Sequence, residues 1–180
     1  MDVERRETPQ SFEVTEASVQ DAERLAQIQA ESWIATYPNA EIRLTEEDVR
    51  KKFENAEKRI ARWRERLEKP AERAQVFVIK EGKRVVGYCA VEKGETENHV
   101  DALYLDPSFR GKHAGSTVFR ESLAWLGENK PVALEVASYN DRAIDFYKRF
   151  GFEDIGDGEP ILVIDDKFLP ITNMCRPSKQ

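Results

Sequence analysis

The spacing of apolar and polar positions changes several times along the chain, and each change marks an element. Phe12-Glu-Val-Thr-Glu16 alternates and predicts a short strand. Ser18 with Asp21 forms a helix-capping pattern. Ala22, Leu25, Ala26, Ile28, Trp33 and Ile34 then recur at helical spacing, predicting a helix from about Val19 to Ala35 that Pro38 and Asn39 break. Thr45 with Asp48 repeats the capping pattern. It opens a second helix whose apolar positions, Val49, Phe53, Ala56, Ile60, Trp63 and Leu67, step alternately by four and three until Pro70 closes it. The charges between those positions read as a solvated face carrying i,i+4 pairs, not as a basic binding patch.

After Pro70 the pattern changes. Val76–Ile79 and Val85–Val91 predict two strands around the hairpin signal Glu81-Gly-Lys83, and a third runs from about His99 to Leu105 before Asp106-Pro107. A helix follows over Gly115–Leu126, then a strand over Val132–Val136 opened by Pro131. A further helix is opened by Asn140, carries Ala143, Ile144, Tyr147 and Phe150 on one side, and ends at Gly151 in the role of a C-terminal glycine. Phe152–Ile155 and about Leu169–Cys175 are the last strands. The order is β-α-α-β-β-β-α-β-α-β-β: an α+β fold with a mixed central sheet of about seven strands and four helices. The uninterrupted β-α-β alternation of a doubly wound dinucleotide-binding sheet is missing.

Composition narrows the function. The 180 residues suit a single domain, 1–180, that buries a core without disulfide or metal, with the polar residues 1–10 flexible. Charged residues make up 34 % and the net charge is −6, which argues against nucleic acid as a partner and leans slightly toward cationic substrates such as amines. Cys89 and Cys175 form no C-x-x-C pair and have no histidine cluster beside them, so no metal is expected. No apolar stretch approaches the length of a membrane span and residues 1–10 lack a signal-peptide core, so a cytoplasmic protein with no membrane partner is expected.

The chemistry concentrates in two segments. In Leu103-Tyr-Leu-Asp-Pro-Ser-Phe-Arg-Gly-Lys-His-Ala-Gly-Ser116 a strand ends, a glycine-containing turn follows and a helix begins. The free N–H groups and positive dipole end of a first helical turn suit a pyrophosphate, and Arg110 and Lys112 would add charge-assisted contacts. A plain strand-to-helix connection is the competing reading. The second segment, Leu134 to Phe152, contains Asn140, Ala143, Phe146, Tyr147, Gly151 and Phe152 at fixed offsets. The phenylalanines read as core, and Asn140 as a helix N-cap.

Taken together, and about thirty residues apart, these segments resemble the two signatures of the GNAT superfamily of N-acetyltransferases. The first resembles its coenzyme A motif, Q/R-x-x-G-x-G/A, with Arg110 and Gly115 at the ends. His113 stands where a glycine is usual, a departure that costs the turn glycine's freedom at positive φ. The second resembles N-x-x-A-x-x-F-Y-x-x-x-G-F. The likeness runs from Phe12 to Phe152. It implies acetyl-CoA as cosubstrate, an amine-bearing acceptor and, as in many relatives, a homodimer. It also implies coenzyme contacts from Leu103, Leu105, Arg110, Gly111, Lys112, His113, Ala114, Gly115, Ser116 and Asn140, with Asn140 on the pantetheine arm. Trp33 and Tyr37, in the first helical pair, become candidates for the acceptor pocket, against a comparable reading as core aromatics.

A protonated amine must lose a proton to attack a thioester, and the departing thiolate is helped by gaining one. Tyr147 matches the family's general acid. Glu135 stands five residues before Asn140, where some relatives that acetylate protein N-termini carry a base, and strand alternation turns it away from Leu134 and Val136. Asp101 and His99 are rival bases. A backbone N–H of the strand before the glycine turn would stabilise the oxyanion. A GNAT-fold module that binds acyl-CoA without turnover is the alternative.

Overall fold

The computed structural model describes residues 11–179, so the expected flexibility of residues 1–10 lies outside the described residues. Among the described residues the strands β1 (Phe12–Glu16), β2 (Ala74–Glu81), β3 (Arg84–Glu92), β4 (Asn98–Leu105), β5 (Val132–Ala137), β6 (Glu153–Ile164) and β7 (Lys167–Arg176) form one seven-stranded sheet in the order β1-β2-β3-β4-β5-β7-β6. Every neighbouring pair is antiparallel except β4 with β5. The helices are α1 (Ala22–Ile34), α2 (Glu46–Lys52), α3 (Ala56–Glu68), α4 (Ala114–Leu126) and α5 (Asp141–Lys148).

The two faces of the sheet are buried differently. Val100, Leu134, Val136 and Met174 pack with Val118, Phe119 and Leu123 of α4 and with Tyr147 and Phe152. On the opposite face Val78, Tyr88 and Ala90 pack with Leu25, Ala26 and Ile28 of α1 and Trp63 of α3. A third cluster joins Trp33, Val49 and Phe53 to Val163, Leu169 and Ile171, closing the loop after α1 against the β6–β7 hairpin.

Both capping patterns read from the sequence form: Thr45 Oγ accepts from the Asp48 amide at 3.1 Å while the Asp48 carboxylate accepts from the Thr45 amide at 2.8 Å. Two expectations need correction. The second helix is two helices, making five rather than four. Asn55 takes the Lys58 amide on its side chain at 2.9 Å and starts a new helix, after Phe53 has left helical geometry. The apolar stripe hid this break because Phe53 and Ala56 lie three apart on either side of it. The last two strands are also far longer than expected. β6 is an edge strand, largely exposed, whose Gly156, Gly158 and Pro160 sit among register shifts against β7 and erase the alternating signal.

Candidate active site

The parallel pairing of β4 with β5 is brief, only Asn98–Val100 against Val132–Leu134. Ala90 of β3 pairs with Ala102 and Val91 with Val100, so Asp101 is an extra residue that bulges β4. Beyond it β4 follows β3 while β5 follows β7, and the sheet splays into a cleft of about 690 Å³. The bulge also divides the strand between faces. Leu103 and Leu105 pack toward the core under α4, whereas Ala102 and Tyr104 pack toward the core under α1 and α3. The cleft therefore passes through the sheet and is lined from both sides.

The loop from β4 into α4 is held at three points. Asp106 accepts hydrogen bonds from Ser108 N (3.0 Å) and Ser108 Oγ (2.6 Å) on one oxygen, and from Arg24 and Arg84 (2.6 Å each) on the other. Burial opposes its charge, but Ser108 and the two guanidinium groups outweigh that and hold the carboxyl below the usual carboxylate range. Ser32 Oγ donates to the Leu105 carbonyl at 2.5 Å. Arg110 donates to Thr36 Oγ at 2.8 Å and to the Ser32 carbonyl at 3.4 Å, bracing the turn against the end of α1. Burial, with Arg142 nearby, makes its guanidinium less basic than usual.

The turn then runs through Gly111 (φ 79°) and His113 (φ 66°), both left-handed. Glycine adopts this conformation freely, whereas an L side chain pays about 1 kcal/mol or more. The first backbone bond of α4 joins Thr117 N to His113 O, so the amides of residues 114–116 precede it and face the loop as donors. A Cβ on Gly115 would stand 3.1 Å from Leu105 Cδ1, so the bare backbone lets α4 approach β4. Arg110, Gly111, His113, Gly115 and Ser116 line the cleft together with Leu103 and Leu105. Lys112 and Ala114 do not: Lys112 Nζ lies over the Phe109 ring at 5.0 Å, and Ala114 is fully buried in the core.

On the far wall Asn140 caps α5, taking the Ala143 amide on its side chain at 3.2 Å, and also lines the cleft. Tyr147 reaches the cleft from a cluster with Phe119 (5.5 Å), Phe146 (5.4 Å) and Phe152 (5.9 Å between ring centroids), where burial raises its phenol pKa well above the ordinary value. Leu134 and Val136 belong to the core under α4, and the exposed Glu135 between them lines the cleft from the other side of β5. Of the rival bases, Asp101 lines the cleft but accepts from Arg66 at 2.9 Å. His99 is not among the lining residues, and its half-exposed ring stands 3.8 Å from Glu97.

Tyr37 lines the cleft, but Trp33 is core: it packs edge-on against Tyr37 (4.6 Å) and Phe53 (5.3 Å), and its indole N–H donates to the Tyr104 hydroxyl at 2.9 Å. Helical spacing explains the difference, since Trp33 lies on the inward stripe of α1 and Tyr37 just past its end. Sequence reading missed Tyr104, Ser32 and Thr36, which line the cleft beside Tyr37. Tyr104 was within reach of it, because alternation sets that residue opposite the two leucines flanking it. Among the described residues no group of three or more His, Cys, Asp or Glu could hold a metal ion.

A mixed sheet opened between two parallel strands, with a helix starting at its mouth, is the architecture of the acetyltransferase class. The PaiA N-acetyltransferase of Thermoplasma acidophilum, solved with coenzyme A, superposes with a TM-score of 0.68 over 93 % of this chain and 99 % of its own at 22 % identity. The ribosomal-protein-S18-alanine N-acetyltransferase of Escherichia coli does so with a TM-score of 0.64 over 94 % and 96 % at 14 % identity. The match to the family model settles the membership: over residues 23–152 this chain belongs to the acetyltransferase (GNAT) family. In sequence it is similar to the peptidyl-lysine N-acetyltransferase YjaB of Escherichia coli (33 % identical, 43 % of this chain and 49 % of that one). It is also similar to a putative bS18-alanine N-acetyltransferase of Bacillus subtilis (29 % identical, 52 % and 62 %). The chain spans about half the length of the first of its curated relatives.

Proposed function

We propose that this protein is a single-domain N-acetyltransferase that moves an acetyl group from acetyl-CoA to an amine nitrogen. The observation that carries this reading is the splayed β4–β5 cleft, into which the start of α4, Tyr147 and Glu135 all open. The family match supports it, and the named relatives are a peptidyl-lysine N-acetyltransferase and a putative bS18-alanine N-acetyltransferase.

In this reading the free amides of residues 114–116, with the turn at Gly111 and His113 beside them, hold the pyrophosphate at the positive end of α4. Leu103, Leu105 and Asn140 flank the pantetheine arm. Glu135 takes the proton that the amine nitrogen loses as it bonds to the thioester carbonyl carbon. Tyr147 gives its proton to the sulfur as the carbon–sulfur bond breaks. A place in the cytoplasm fits the absence, among the described residues, of any helix long and apolar enough to cross a membrane. The net charge of −6 weighs against nucleic acid as a partner.

Calorimetric titration with acetyl-CoA, followed by thiol release across a panel of amines, tests the reading. Binding with no thiol release for any amine would leave an acyl-CoA-binding module in its place.

Two variants probe the loop. Arg110→Ala is expected to weaken acetyl-CoA binding about tenfold, the loss of a charged hydrogen bond. Because the half-buried guanidinium braces Thr36 and Ser32, most of that loss should persist at high salt. A loss confined to low salt would indicate instead a solvent-facing contact with phosphate, and unchanged affinity at both would remove Arg110 from the site. His113→Gly restores the residue that a φ of 66° favours. Acetyl-CoA affinity should be preserved or raised and the melting temperature should not fall. A large loss of affinity would mean that the imidazole itself contacts the coenzyme.

A further inference from the structure

The aromatic residues at the α1 end of the cleft can be read by counting protons. Trp33 Nε1 can only donate, and it donates to the Tyr104 hydroxyl at 2.9 Å. Tyr139 donates its hydroxyl proton to the Tyr37 carbonyl at 2.7 Å. The hydroxyls of Tyr37 and Tyr104 are neighbours, each acting on the other's ionisation. Two phenols carry two protons and a hydrogen bond between them would use only one, so at least one O–H is left over, whichever of them donates. Among the described residues no protein acceptor takes that proton, and both side chains line the cleft. Burial raises the pKa of both phenols, so the pair stays protonated and cannot serve as a base.

This surplus donor lies on the acceptor's side of the sheet. Tyr104 packs toward the core under α1 and α3, whereas Leu103 and Leu105 pack toward α4. The Arg110 guanidinium, anchored on Thr36, reinforces the donor character of the same end, while Glu135 lines the cleft from β5. A molecule bound between them meets a carboxylate at one end and a buried hydrogen-bond donor at the other.

Resting on the acetyltransferase reading, we propose that the Tyr37–Tyr104 pair selects the acceptor by donating a hydrogen bond to a carbonyl oxygen carried on the carbon next to the reacting amine. The substrate class is then the α-amine of an amino-acid derivative or peptide. A polyamine, or the ε-amine of lysine, offers only methylenes at that position and leaves the buried donor unpaired. An unpaired buried donor costs about 1–3 kcal/mol, a discrimination of about 5- to 150-fold.

The test compares kcat/KM for L-alaninamide and isopropylamine, which differ by the carboxamide, in the wild type and in the Tyr37→Phe/Tyr104→Phe double variant. The carboxamide also lowers the basicity of the amine, an effect common to both proteins, so the change in the ratio isolates the hydroxyls. The preference for alaninamide should fall about tenfold or more in the double variant. It should survive in Tyr37→Phe, where the Tyr104 O–H still faces the cleft. Should the double variant not fold, alanine thioamide answers the same question with the wild type. Its sulfur is a weak acceptor, and it should react about tenfold more slowly than the amide.

An unchanged ratio, or equal rates with amide and thioamide, overturns the inference while leaving the acetyltransferase intact. An equal fall in kcat for both amines also overturns it, by placing the phenols on the thioester. Thiol release with neither amine overturns the acetyltransferase reading and this one with it.

Discussion

Replacing Tyr147 with phenylalanine should lower kcat about 10²- to 10³-fold and leave the affinity for acetyl-CoA nearly unchanged. The two halves of this expectation have different origins. The ring sits among Phe119, Phe146 and Phe152 and is almost fully buried, so its packing supports the wall of the cleft whether or not it carries oxygen. Phenylalanine keeps that packing, and the melting temperature should hardly move. In the proposed role the hydroxyl acts on sulfur only as negative charge develops there. Its removal therefore withdraws stabilisation from the transition state and none from the bound thioester. Burial adds to the contrast, because a phenol whose ionisation is so disfavoured is a donor across the whole assay range. Initial rates at saturating acetyl-CoA, with calorimetric binding of the coenzyme alongside, separate the two halves. A folded variant that turns over at the wild-type rate would leave a water or the substrate itself as the proton donor.

Legibility in the sequence followed burial. Elements with a strong apolar signal declared themselves: β1, α4 and α5 lie where alternation, helical spacing and capping residues set them, and the β2–β3 hairpin where two apolar runs flank Glu81-Gly-Lys83. The edge strand β6 did not, because a strand exposed along most of its length has no reason to alternate. The break at Asn55 was hidden because the apolar spacing runs on across it in the sequence, although Val49 and Phe53 pack toward β6 and β7 and Ile60 and Trp63 toward β2 and β3. Within the site, backbone demands were the most readable. The positive φ at residue 113 was inferred from the usual glycine there, and the outward turn of Glu135 from strand alternation. Long-range pairing was not. Nothing local to Arg110 indicates that it will reach back to Thr36, or that Trp33 will spend its N–H on Tyr104, 71 residues away. A side chain's partner depends on which strands the bulge at Asp101 drives apart, and that is a property of the whole sheet.

On the proposal that Glu135 is the base, Glu135→Gln should lower kcat/KM about 10²- to 10³-fold with a strongly basic amine. Glu135, Asp101 and His99 are the candidates from the sequence, and they differ in their surroundings. His99 is absent from the cleft lining, and Asp101 reaches the cleft with its carboxylate already occupied by Arg66 at 2.9 Å. Glu135 lines the cleft on the exposed side of β5, opposite the buried Leu134 and Val136. Gln is close to Glu in size, keeps a carbonyl oxygen and should preserve the pairing of β5 with β7 at Asn173, so the substitution removes proton-accepting power and little else. The size of the effect should depend on the nucleophile. Ordinary α-amines titrate near 7.7–8.0 and alkylamines near 10.4, so at neutral pH an alkylamine needs the base far more than an α-amine does. The defect should therefore shrink steadily as amines of lower pKa are offered, giving a slope against amine basicity that wild type lacks. Asp101→Asn, by contrast, breaks a half-exposed ion pair with Arg66, and should cost less than about 1 kcal/mol of stability and little activity. If Glu135→Gln turns over every amine at the wild-type rate, Glu135 is an ordinary surface strand residue, and the proton leaves the amine through water.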